Sequence, residues 1–154
     1  MKQKILFLSA IIFTLALTNC NKDEYGNTTT ETSTHTSGNW VYSDPSYYTD
    51  ISVPEITQGV VDNGAVLVYL VTSGGAGYSQ LPLTIYTSSS YSSTLEVVHS
   101  LGSVRVFWTD SDLIEPDMPP SFTFKIVVMS QSQIIANPNL DTTNYKEVAE
   151  ALNL

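Results

Sequence analysis

The residues of this 154-residue chain that could do chemistry are one cysteine, two histidines, a run of carboxylates and a set of aromatics. Asp110, Asp112, Glu115 and Asp117 place four carboxylates within one short stretch. Hard oxygen donors in a loop suit Ca²⁺, although the stretch lacks the sixth-position glycine and twelfth-position glutamate of an EF-hand. The competing reading is an Asx-rich turn whose Asp side chains cap backbone amides. His99 lies among Leu95, Val97 and Leu101 and is expected to be a hydrogen-bonded core histidine. His35 lies in a hydroxyl-rich linker, so neither histidine is placed for Ser–His or Cys–His nucleophilic catalysis. Cys and His are too few in the domain for a typical zinc site. Paired-carboxylate glycoside hydrolysis stays open on residue count, because sequence spacing does not fix the distance between two carboxyl groups. The chain is therefore read as non-enzymatic, with no catalytic residue and no cofactor, and with Ca²⁺ at the acidic stretch as the alternative. Trp40, Tyr47 and Tyr48 could stack on sugar rings, as flat rings with polar tips do at wet surfaces. The plainer reading makes them cross-strand pairs or core rim.

Cys20 is the only cysteine, so the chain can form no internal disulfide, and an odd cysteine in an exported protein needs another role. The residues before it suggest that role. Lys2 and Lys4 precede an apolar run from Ile5 to Ala16, the layout of an export signal. The run is short for a permanent span, which takes about 20 residues. Its Thr- and Asn-containing flank also lacks the basic residues of a stop-transfer segment. Leu17-Thr18-Asn19-Cys20 resembles the lipobox of bacterial lipoproteins, with Asn19 where Gly, Ala or Ser is usual. The resemblance implies a signal peptide over 1–19 and a diacylglycerol thioether and N-acyl chain on Cys20. Two or more chains anchor stably, because each buried methylene contributes about 0.8 kcal/mol. Lys22-Asp23-Glu24 looks like the lysine-plus-acidic export signal of Bacteroidota surface lipoproteins. It implies a lipid-anchored protein on the outer face of the outer membrane, with retention on the periplasmic side as the alternative.

Charge narrows the partners. Without Lys2 and Lys4, four of the six basic residues remain against 15 acidic ones, a formal charge of −11. Phosphate backbones need a basic footprint, so nucleic acid is excluded as a partner. Anionic lipid would be repelled as well, which leaves membrane attachment to the lipid on Cys20. The partner expected is a protein or a glycan.

The elements that must position these residues follow from hydrophobic period. Residues 20–38 offer little apolar surface to offset ordering and are expected to be a flexible tether. The folded domain is expected over 39–154. Tyr47, Thr49, Ile51 and Val53 alternate with Tyr48, Asp50 and Ser52 as a half-buried strand does. Pro54 ends that strand, and the residues to Asn63-Gly64 favour a short helix over a hairpin. Ala65–Val71 is apolar on both faces and reads as a central, covered strand. Leu81, Leu83 and Ile85 line an edge strand beside Pro82. Leu95 to Leu101, Val104 to Trp108 and Phe122 to Met129 give three more alternating runs. Asn144 with Glu147 caps a final helix whose stripe is Tyr145, Val148, Ala149 and Leu152, placed to lie on the sandwich and cover a sheet edge. The fold class expected is mainly β: an antiparallel β-sandwich or small barrel with a helical turn and a C-terminal helix.

Several of these runs together resemble a β-domain found in Bacteroidota exported proteins. They are Tyr47–Gln58, Asp62–Tyr69, Val104-Arg105-Val106 with Asp110-Ser111-Asp112, Phe124–Val128 and Asn144–Val148. That domain occurs in small lipoproteins and at the C-terminus of some collagen-like surface proteins, and this chain has no Gly-X-Y repeat. The resemblance implies location and architecture and carries over no site. The function expected is a non-catalytic surface lipoprotein with a binding or structural domain. A carbohydrate-binding module of a surface glycan system is the alternative.

Overall fold

A computed structural model describes residues 32–72, 77–86, 88 and 91–154. The signal segment 1–19, Cys20 and Lys22, Asp23 and Glu24 lie outside the described residues. Among those described, the strands in chain order are β1 (Thr32–Thr36), β2 (Val41–Ser43), β3 (Ser46–Ser52), β4 (Ala65–Val71), β5 (Tyr78–Gln80), β6 (Leu83–Tyr86), β7 (Ser92–Ser100), β8 (Ser103–Asp110) and β9 (Thr123–Met129). The helices are α1 (Gln58–Asn63), α2 (Gln131–Ala136) and α3 (Tyr145–Leu152). One sheet has the order β1-β9-β4-β5 and the other β2-β3-β8-β7-β6, and every pairing is antiparallel. The domain is a β-sandwich, mainly β as its alternation dictates.

The sandwich core is made by the inward positions of both sheets. Ile51 from β3, Leu95 from β7, and Val104 and Val106 from β8 meet Val68 and Leu70 from β4 and Phe124, Ile126 and Val128 from β9. Each set recurs every second residue, so one face of each strand supplies it. Two turns set the register. Leu101-Gly102 joins β7 to β8 with Gly102 at φ +71°, a left-handed conformation that glycine adopts without strain. At Gly64, between α1 and β4, a β-carbon would stand 2.5 Å from the Met129 carbonyl oxygen. Only glycine lets the helix close on the strand there.

β4 and β9 are apolar on their outer face too, as the unbroken run Ala65–Val71 predicts. Leu67, Tyr69, Val127 and Met129 form a second core with Val148 of α3, closed at its margin by Ile134, Leu140, Tyr145 and Leu152. Asn144 caps α3: its side chain accepts from the Lys146 amide at 3.2 Å and donates to Glu147 at 2.9 Å. The Tyr69 hydroxyl donates to the Thr142 carbonyl at 2.6 Å, and its ring meets Tyr145 edge-on at 5.2 Å. Burial pushes the Tyr69 phenol up to about 12. The helix thus lies on the sandwich as expected, over the outer face of β4 and β9 and against the edge strand β5, where Tyr145 meets Tyr78 at 4.1 Å.

Three expectations are corrected. Residues 32–36, assigned to the tether, form β1 and pair with β9 from Thr32↔Val127 to Thr36↔Thr123, so the ordered domain begins by Thr32 and not at residue 39. The backbone hydrogen bonds of the ladder order a segment that has little apolar surface of its own. His99 is exposed at the turn end of β7 and is no core histidine. The segment after β9 carries α2, an unforeseen helix with a Ser130–Gln133 capping box.

The outer core yields a graded prediction. Tyr69→Phe removes one enclosed hydrogen bond and should lower unfolding stability by about 1 kcal/mol. Val148→Ala leaves a cavity in a fully buried site and should cost about 2 kcal/mol. The raised phenol of Tyr69 implies stability that is complete below pH 10 and lost as pH rises through about 12. Denaturant melts of the three chains at neutral and alkaline pH check both statements.

Candidate functional site

The distinctive site is a notch on one side of the sandwich, made where β2 stops short of its neighbour. β2 pairs with β3 from Ser43↔Ser46 to Val41↔Tyr48, whereas β3 pairs with β8 as far as Ser52↔Ser103. Thr49–Ser52 of β3 therefore has a strand on one side only, among the described residues. The chain cannot extend β2 because residues 37–40 are crossing between the sheets. Ser37, buried at the end of β1, donates its backbone N–H to the Phe122 carbonyl at 2.8 Å and accepts the Phe122 amide on Oγ at 2.9 Å. Ser121 Oγ donates to the Ser37 carbonyl at 2.5 Å. Trp40 then packs edge-on against Phe122 at 6.3 Å, its indole N–H donating to the Pro120 carbonyl at 3.2 Å. These bonds hold the crossing away from β3.

The result is a cavity of about 470 Å³ lined by β1, the crossing and β3, including His35, Ser37, Asn39, Tyr48, Thr49 and Asp50. His35 pairs with Phe124, so its imidazole shares the inward face of β1, and its Nε2 is buried without a hydrogen-bond partner. Thr49 is buried on the opposite wall. The side-chain lining is hydroxyl, amide, imidazole and phenol, with Asp50 as the carboxylate and Val41 and Ile51 as apolar walls.

Beside the notch, on the solvent face of β3 and β8, stands the chain's single arginine. Arg105 grips Asp50 through two bonds, Nε to Oδ1 at 2.6 Å and Nη2 to Oδ2 at 2.7 Å, with its guanidinium 4.1 Å above the Tyr48 ring. The Arg105 hydrogen bond holds the Asp50 carboxyl below its usual range. Hydroxyls continue this face across the sheet: Ser46 meets Thr109 at 2.7 Å and Thr84 meets Thr94 at 3.1 Å. The surface is mostly polar, with Phe107, Val98 and Tyr86 on the same face.

The structure disperses the residues proposed for a metal. Asp110 is buried and accepts from the Tyr91 hydroxyl, while its Oδ1 has no partner. That bond to the Asp110 carboxylate pushes the Tyr91 phenol up to about 12. Asp112 accepts the Ile114 amide at 3.1 Å, an Asx turn, and Glu115 and Asp117 are exposed. Among the described residues no three His, Cys, Asp or Glu side chains converge into a metal-holding group.

The three aromatics do not form one platform either. Tyr47 and Tyr48 are neighbours in β3 and face opposite ways: Tyr47 leans on Tyr42 at 5.3 Å, Tyr48 on Phe107 at 6.3 Å. Trp40 is a clasp on Phe122. The β3 wall of the notch was expected as a strand, whereas the β1 wall was not, and its one sequence signal was the alternate threonines of Thr32–Thr36, which favour a strand. Among the described residues, no helix is long and apolar enough to cross a membrane.

Comparison with family models, with curated proteins and with solved structures yields no match. The chain's own chemistry therefore carries the functional reading.

The Asp50–Arg105 pair supplies a pH signature. A depressed carboxyl contributes stability above its unfolded value of 3.8 and loses it as pH falls through the lower folded value. Both partners are about half exposed, so the effect is small and weakens with salt. Asp50→Asn should melt slightly below wild type at neutral pH, with the gap narrowing below pH 3.8. Thermal melts across pH check this, and a gap independent of pH would contradict it.

Proposed function

We propose that this chain is an exported lipoprotein, anchored at the outer membrane by lipid on Cys20 and displayed at the cell surface, whose β-sandwich is a non-catalytic binding domain. The observation that carries the reading is Cys20 itself, the lone cysteine at the close of an apolar, basic-headed segment and just ahead of Lys22-Asp23-Glu24. The acidic charge supports it, because a domain of this sign gains nothing from anionic lipid or nucleic acid and needs a covalent anchor to stay at a membrane.

Chain length bounds the reach of such an anchor. Eleven residues, 21–31, separate Cys20 from β1 and can span at most about 40 Å when fully extended. The chain enters β1 at Thr32, opposite Val127, the end of that sheet near α1 and α2. The crossing at 37–40 and the loop after Asp110 occupy the other end. A connection of this length keeps the domain within about 40 Å of an anchored Cys20. Separation of Tyr47 from Tyr48 leaves the glycan-binding alternative without its stacking surface, and a protein partner suits the notch better.

Mass spectrometry of the N-terminal peptide of the mature protein tests the anchor. The expected species begins at Cys20 and carries a diacylglyceryl thioether and an N-acyl chain. Cys20→Ala should release the protein from the membrane fraction. An unmodified Cys20 in the membrane-bound protein would overturn the proposal.

A further inference from the structure

We propose that the notch where β2 stops is a strand-addition site, which takes an extended segment of another protein alongside Thr49–Ser52. The inference deepens the binding role given above and rests on it, but it does not depend on the lipid at Cys20. A strand pairs through backbone groups on both edges, and among the described residues β3 has no neighbour on one side over four residues while keeping the other. Four residues of strand are about 13 Å long. Such an edge is a template for any chain that can lie beside it, and main-chain hydrogen bonds supply affinity when one does.

Exposed edges are commonly defended by lysine, proline, a bulge or an inward charge. Thr49-Asp50-Ile51-Ser52 has none of these. Its one charge, Asp50, points to the solvent face and is already held by Arg105 at 2.6 and 2.7 Å. The edge is also recessed: β1 and residues 37–39 roof it, and the cavity of about 470 Å³ lies between roof and edge. An added strand would thus be held on two sides.

The walls give the segment its chemistry. Side chains of an added strand alternate between the cavity and the solvent face. Inward positions would meet His35, Ser37 and Thr49, where small or β-branched residues with hydroxyls fit. Outward positions would stand beside Tyr48, Asp50 and Ser52, where Arg105 already holds Asp50, so the chain's overall charge of −9 and no local pair favours Lys or Arg. No lysine or arginine lines the cavity, and Arg105 beside it is already paired with Asp50. The occupant is a neutral-to-basic extended peptide alternating Thr or Val with Lys.

Amide NMR of the ¹⁵N-labelled full mature chain, titrated with acetyl-Thr-Lys-Val-Lys-Thr-amide, tests the site. A second peptide N-methylated on the amides that face the edge, and a third with Glu for Lys, serve as controls. Shifts confined to Thr49–Ser52 and the facing residues 35–39, with affinity weakened at least about tenfold in both controls, are the expected result. Any of four outcomes would overturn the site. They are no binding at about 1 mM peptide, equal binding of the N-methylated peptide, shifts on the free edges of β1, β5 or β6 instead, or Thr49–Ser52 amides all protected in the free chain. Failure of this titration leaves the anchor untouched, because the mass of Cys20 is read separately.

Discussion

The structure depends on one strand that cannot face water on either side. β9 sends Phe124, Ile126 and Val128 into the sandwich and Val127 and Met129 out of it, and all five are buried. The outward pair, with Leu67 and Tyr69 of β4, makes a second apolar surface that no second sheet covers. α3 must therefore dock on it, which it does through Val148, with the Tyr69–Thr142 bond and the Tyr69–Tyr145 contact fixing the approach. Hydrophobic burial drives this docking, since an eight-residue helix is too short to persist alone in water.

The same strand sets up the notch. β9 has β4 on one edge and accepts β1 on the other, so the chain enters the domain in the sheet that α3 covers. It must then cross to the other sheet to start β2, and the Ser37–Phe122 and Trp40–Pro120 bonds hold that crossing beside the segment leading into β9. β2 is short for this reason, and β3 is left with an unpaired stretch walled by β1. An interrupted edge strand follows from connectivity, without any special residue at the site.

Much of the architecture was legible where side chains alternate. β3, β4, β8 and β9 follow their period-two patterns, Pro54 and Gly64 bracket α1, and Asn144 with Glu147 marks α3. What could not be read was partnership. Period tells which face a residue takes but not which strand lies beside it, so neither the division into two sheets nor the short reach of β2 was visible. Thr32–Thr36 looked like linker because it buries almost nothing by itself, and its order comes from pairing with a strand ninety residues away. His99 has the parity of a core residue, yet solvent reaches it at the strand's end. Tyr47 and Tyr48 were grouped by type, although adjacent strand residues must face opposite ways. The acidic stretch was read with both of its options, and the Asx turn at Asp112 matches the simpler one.

β9 organises both of its neighbours, so that the domain begins by Thr32 and not after Gly38. Native-state amide hydrogen exchange on the full mature chain tests it most directly. Slowest exchange is expected in β4 and β9, with ladder-bonded amides of Thr32–Thr36 protected alongside them and the unpaired amides of Thr49–Ser52 fast. Exchange of residues 32–36 at the rate of an unstructured chain would contradict it.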